Sequence, residues 1–295
     1  MIAGRPVVSF DTSVHNRMLD DGAAKSDAVF AGLKSGYFVC LTGLALEEMF
    51  ATQDSSRRTT LIACTGRLQH GPIDILLPQN DILWLLILGH KAAPDSFDWK
   101  SVNVTTSDYA RAFSDRNVIA DNTHSDHARE DLKQRKKKFG CYSSTLRPKL
   151  DNEFERCGEA RPKTFREVLP RIHGEGGFVW SIGKDLYDHA AETDASEATI
   201  RQFMGSGPPF RAIVYAMLLV WYHRSLRDLH AAEKFSAGGI DLLMAIYLPY
   251  CDQFITAEIG GEQEKCLREV ANAADLKTEI RSYDDFCSSM MVSAG

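Results

Sequence analysis

Four acidic residues stand where the pattern of the chain ends a strand or begins a helix: Asp11, Glu48, Asp241 and Glu258. Asp11 closes the strand-forming run Pro6-Val7-Val8-Ser9-Phe10, and the hydroxyl residues Thr12 and Ser13 follow as the chain turns. Far downstream, Gln253-Phe254-Ile255-Thr256-Ala257-Glu258 repeats the design of a short apolar strand, a hydroxyl and an acid. In α/β proteins, ligands and catalytic groups collect at the carboxyl ends of strands. Carboxylates gathered at one edge repel each other unless a cation lies among them, and such oxygen donors suit hard ions such as Mg²⁺ or Mn²⁺. The chemistry open to that cluster is activation of water for in-line attack on a phosphodiester. Each acid taken singly has a plainer use. Asp11 is equally an N-cap for the next helix, and Glu47 or Glu48 equally a solvated or dipole-pairing residue. Neighbours on a helix point about 100° apart, so at most one of these two glutamates faces the strand ends directly.

The elements that would position these acids follow from pattern. Gly36–Thr42 is a second strand, and Gly43 opens a helix through Leu44-Ala45-Leu46-Glu47-Glu48-Met49-Phe50. Arg57–His70 reads as a helix broken by Gly71-Pro72, Ile73–Leu77 as a third strand, and Asp81–Leu88 as a buried helix. Strands alternating with helices signal a mostly parallel sheet of about five strands with covering helices, an α/β fold. The composition then turns polar, and helical patterns recur at Thr164–Leu169, Ser181–Ala191, Ser196–Met204 and Phe210–Leu229. The sheet resumes with a helix from Asp241, a strand over Asp252–Thr256, a helix over Glu262–Ala274 and a short strand over Thr278–Ser282. The expected organisation is a core of 1–89 and 236–287, with 90–235 as a helical insertion forming a wall or lid along the substrate.

With 44% hydrophobic and 25% charged residues the chain has the make-up of a soluble globular protein, and its formal charge of −6 argues against a generic nucleic-acid coat. The distribution is uneven. Residues 1–89 carry 7 basic and 9 acidic side chains and 236–295 carry 4 and 10, whereas 91–150 carry 12 and 8. The excess centres on Gln134-Arg135-Lys136-Lys137-Lys138, either a solvated face or a phosphate-binding rim beside the acidic lobe. The odd count of 7 cysteines, with no C-x-x-C pair, points to free thiols in a reducing compartment. No secretory signal is evident, and the most apolar helix candidate, Ala212–Tyr222, falls short of the ~20 residues that span a bilayer. A cytoplasmic protein without membrane association is expected.

Together, Val7-Val8-Ser9-Phe10-Asp11-Thr12-Ser13-Val14, Leu41-Thr42-Gly43-Leu44-Ala45-Leu46-Glu47-Glu48 and the stretch from Asp241 to Glu258 resemble the PIN-domain family of metal-dependent nucleases. Glu279-Ile280-Arg281-Ser282-Tyr283-Asp284-Asp285-Phe286 is similar to that family's last strand and tail. The resemblance covers roughly half the chain. It implies catalytic acids at Asp11, Glu48, Asp241 and Glu258. Mg²⁺ or Mn²⁺ would be held by Asp11, Asp241 and Glu258, with Glu48 as a further ligand or as the residue orienting water. Thr12 and Thr256 would support the site, and Asp252, at the start of the fourth strand, either supplements the fourth acid or, as the plainer use, caps the start of its strand. Arg135, Lys136, Lys137 and Lys138 would contact nucleic acid. The activity implied is endonucleolytic, on RNA before single-stranded DNA, leaving 5′-phosphate and 3′-hydroxyl ends. The family also suggests a toxin or defence role, an antitoxin or regulatory partner, and pairing as a homodimer. The fourth acid is usually aspartate in that family, so Glu258 is a departure.

A second reading makes the chain a catalytically weak scaffold that binds RNA or a partner protein. A haloacid-type phosphatase would carry a second aspartate two residues after Asp11, where Ser13 stands, and no glycine fingerprint of a nucleotide-binding loop follows the first strand.

Overall fold

The computed structural model describes residues 4–68, 75–106, 119, 121–123, 125–135, 162–174, 177–223, 241–258 and 261–293. Its centre is a five-stranded sheet in the order β3-β2-β1-β4-β5. The strands are β1 (Val7–Phe10), β2 (Phe38–Thr42), β3 (Ile75–Leu76), β4 (Gln253–Thr256) and β5 (Glu279–Ser282). Every pairing is parallel: Val8 lies opposite Val39 on one side and Gln253 on the other, and Thr256 lies opposite Ser282. All four residues of β1 are buried, as an unbroken apolar run in the middle of a parallel sheet requires. The fold is therefore α/β, as its alternating pattern predicts.

The strand order fixes where the helices lie. From β1 the chain steps outward to β2 and β3 through α1 (Thr12–Asp20), α2 (Ala23–Gly36), α3 (Gly43–Phe50) and α4 (Ser55–Gly66). It then continues through α5 (Gln79–Ala92), α6 (Phe165–Ile172), α7 (Phe178–Ala191), α8 (Glu197–Ser206) and α9 (Pro208–Trp221). A tighter 3₁₀ helix, Asp241–Tyr250, leads into β4 on the other side of β1, and α10 (Glu262–Ala273) joins β4 to β5. Right-handed crossovers that run in opposite directions from β1 place their helices on opposite faces of the sheet. The packing agrees, because α1 to α4 contact one another while α5, α7, α9, α10 and the 3₁₀ helix form a second group. The last helix, α11 (Tyr283–Ser293), returns to α2, with Met290 Sδ placed 3.2 Å from where a side chain on Gly32 would begin.

The expected helix over Phe210–Leu229 begins at Pro208, and its described part ends at Trp221. It is built as core, as its broad apolar surface predicts. Phe210, Ala212, Val214, Ala216, Leu218, Leu219 and Val220 are all fully buried, and a helix apolar on every side belongs inside a protein. It lies against the 3₁₀ helix and α10, and Arg211 Nε donates to the Ala274 carbonyl at 2.8 Å. Among the described residues, no single helix is long and apolar enough to cross a membrane. Cys40, Cys64, Cys251, Cys266 and Cys287 are free thiols.

Candidate functional site

Because every strand is parallel, the carboxyl ends of β1, β2, β4 and β5 share one edge. The order reverses between β1 and β4, which opens the crevice where ligands of such sheets bind. Asp11 stands at that reversal. Its N–H donates to the Ile255 carbonyl at 3.1 Å, the last bond of the β1–β4 ladder, and its side chain N-caps α1. Oδ1 accepts from Val14 N–H at 3.0 Å and from Ser13 Oγ at 2.6 Å. Oδ2 is buried without a hydrogen-bond partner, and the residue as a whole is 2% exposed. Burial pushes the carboxyl up to about 6, against the Ser13 hydroxyl and the Val14 N–H, which favour the anion. The charge of Glu258 adds to the upward shift, so the two acids sense each other across the crevice.

The β4 side is laced to α1 through hydroxyls. Ser13 Oγ accepts from Ala257 N–H at 2.8 Å while donating to Asp11. Thr256, 2% exposed, donates its proton to Gln263 Oε1 at 3.0 Å, and Glu258 accepts from Gln263 N–H at 2.7 Å. Glu258 is thereby held over the start of α10, where a carboxylate is favoured by the helix dipole.

On the β2 side, Thr42 Oγ1 accepts from Ala45 N–H at 3.3 Å and so caps α3. Gly43 permits the close approach behind it: a Cβ there would lie 2.4 Å from Pro78 N. Tyr247 clamps the same junction, accepting from Leu44 N–H and donating to the Leu77 carbonyl, each at 3.1 Å. This seats α3 so that Glu48 receives a short hydrogen bond from Thr12 Oγ1. Glu47 turns elsewhere, to Arg135 at 2.9 Å.

The structure thus gathers Asp11, Thr12, Glu48, Thr256 and Glu258 along one edge. The 3₁₀ helix begins at Asp241, but the side chain of Asp241 lies outside the described residues. Asp252 belongs to the opposite edge. It precedes β4, accepts from Val7 N–H at 2.8 Å and aligns the first residues of β1 and β4, so it has no part in the acidic crevice. Arg135 also departs from expectation. Its guanidinium is 15% exposed and taken by Glu47 and by Asp131 at 2.8 Å, which makes it a clamp on α3 rather than a free phosphate ligand. Lys136, Lys137 and Lys138 lie outside the described residues. Pattern reading missed Ser13 and Gln263. The hydroxyl doublet after Asp11 was the available signal for Ser13, whereas Gln263 depends on how the loop after β4 turns.

The donors at this edge are carboxylate and hydroxyl oxygens, the set that hard cations prefer. Among the described residues, no three His, Cys, Asp or Glu side chains are grouped closely enough to hold a metal ion by themselves. Asp11 Oδ2, desolvated and unpartnered, is the atom for which a cation would supply the missing interaction. Comparison of the chain with family models, curated proteins and solved structures returns no match.

Proposed function

We propose that this protein is a metal-dependent endonuclease that hydrolyses RNA at the Asp11–Glu258 crevice, in the manner of the PIN-domain nucleases its motifs resemble. The observation that carries the reading is the buried, unpartnered Oδ2 of Asp11 at the reversal of strand order, beside a second carboxylate. Asp11 and Glu258 would hold the ion, with Asp241 as the third acid implied by the resemblance. A bound divalent ion neutralises charge on the phosphodiester and makes water acidic enough to attack near neutral pH.

The chain's own residues do the rest. Ser13 and Val14 fix Oδ1 of Asp11, which leaves Oδ2 as the oxygen that faces its ligand. Gln263 and the start of α10 fix Glu258. Glu48, steadied by Thr12, orients the attacking water and receives its proton at the carboxylate. Water enters at phosphorus and the 3′-oxygen leaves, so the products carry 5′-phosphate and 3′-hydroxyl ends. A toxin or defence role with an antitoxin partner accords with the resemblance.

The test is cleavage of a mixed RNA pool with Mn²⁺, Mg²⁺ or a chelator, by the wild type and by Asp11→Asn. Metal-dependent cleavage lost in the variant is expected. Intact RNA and intact single-stranded or flapped DNA with folded wild type would sink the proposal in favour of a binding scaffold. An independent readout is thermal: Mn²⁺ raises the melting temperature of the wild type but not of Asp11→Asn.

A further inference from the structure

A cavity of about 170 Å³ opens beside Glu258, with Arg17, Thr256, Ser282 and Asp284 in its wall. Arg17 lies four residues beyond Ser13 on α1, so the two share the helix face that meets the exit of β4. Two of the three acids around the cavity, Glu258 and Glu264, have partners of their own, whereas Asp284 faces Arg17 alone among the described residues. Glu258 accepts from Gln263 N–H, and Glu264 is held by Arg268 at 2.8 Å. Arg17 is less well satisfied. Its Nε is 3.1 Å from Asp21, but that carboxylate also takes Lys25 at 2.8 Å, so one anion serves two cations. Nη2 stands 3.8 Å from Asp284, beyond hydrogen-bonding distance, and the Asp284 side chain is 75% exposed. Both terminal nitrogens of the guanidinium therefore lack a hydrogen-bond acceptor among the described residues.

The half-exposed guanidinium, on a cavity that shares Glu258 and Thr256 with the acidic crevice, presents a planar fork of N–H donors that matches a phosphate group in shape and carries the opposite charge. We infer that this cavity seats a phosphate of the RNA chain next to the one cleaved, with Arg17 as its contact. The inference rests on the nuclease reading and adds to it the direction in which the substrate leaves the crevice, over β4 and β5.

The experiment measures binding of a labelled single-stranded RNA by anisotropy across a salt series at fixed Mg²⁺, in the Asp11→Asn background so that the RNA stays whole. Arg17→Ala is expected to weaken binding several-fold at low salt and to make the log–log salt dependence shallower by about 0.7, the value for one phosphate contact on a single strand. Arg17→Lys keeps the slope but binds more weakly, because it keeps the charge and loses the fork. Arg57→Ala, which removes a cation paired with Asp20 away from the cavity, should change neither. An unchanged slope in Arg17→Ala, or the same change in Arg57→Ala, overturns the phosphate seat. If the wild type nonetheless cleaves RNA, the nuclease reading survives that loss. Absence of both binding and cleavage removes the two together.

Discussion

Burial holds the Asp11 carboxyl near 6, so this residue makes the fold sensitive to pH in the sense opposite to a salt-bridged aspartate. Below its ordinary value of 3.8 both folded and unfolded chains carry the proton, and Asp11 contributes no difference. Between 3.8 and 6 the unfolded chain releases the proton first, so stability falls as pH rises. Above 6 the whole difference is present, about 3 kcal/mol against the folded state in the absence of metal. Asp11→Asn keeps an oxygen for Val14 N–H and removes the charge. It should therefore be more stable than the wild type in chelator at pH 7.5 and about equal at pH 4, by denaturant titration. A wild type that is the more stable of the two at pH 7.5 would contradict this. Asp252→Ala strands the Val7 N–H and should cost about 1–3 kcal/mol, with cleavage per folded molecule unchanged. Local pattern sufficed to single out Asp11, because a strand end followed by hydroxyls is written in adjacent residues. It left Asp252 between support for the site and a strand-start cap, because an acid at a strand's start and one at its end differ only in which edge they reach.

The helix α3 is set in place from three sides, and each contact comes from a distant part of the chain. Gly43 lets its first turn lie against Leu77 and Pro78, Tyr247 bridges the two, and Arg135 grips Glu47. Gly43→Ala has no room for its methyl against backbone, and should cost about 1–3 kcal/mol while shifting Glu48 from Thr12. The expected signature is a fall in the cleavage rate larger than in RNA affinity. The Glu47–Arg135 pair, with both side chains less than a fifth exposed, should show a coupling of about 1 kcal/mol or more in a double-mutant cycle of Glu47→Gln and Arg135→Ala. Additive single effects would mean the pair is an ordinary surface contact. Arg58 and Arg129 reinforce the same seam, donating to the carbonyls of Thr52 and Ala51. Arg135 read as a substrate contact because its partner, Glu47, lies 88 residues earlier. A local window counts charges and cannot see which of them are answered.

At the scale of the molecule, the alternation of strands and helices was enough to specify an α/β sheet, and the polar stretch after α5 suggested an appendage. The apolar pattern marked α9 as core, but composition could not reveal that this helix, deep in the expected insertion, would be the one on which the 3₁₀ helix and α10 rest. Leu219→Ala should accordingly cost about 2–5 kcal/mol, and a chain joined directly from residue 89 to 236 should fail to give a folded, soluble core. A well-dispersed NMR spectrum from that joined chain would show the insertion to be a separable unit. The pairing of Val8 with Gln253 carries a further consequence for biosynthesis. One side of β1 can be zipped to β2 soon after it leaves the ribosome, but its other side has no partner until β4 emerges. At ~5–20 residues per second, that interval runs from roughly ten seconds to most of a minute. Throughout it an apolar strand edge at the middle of the future sheet is open to other chains. Premature termination before β4 is thus expected to yield aggregates rather than smaller folded proteins.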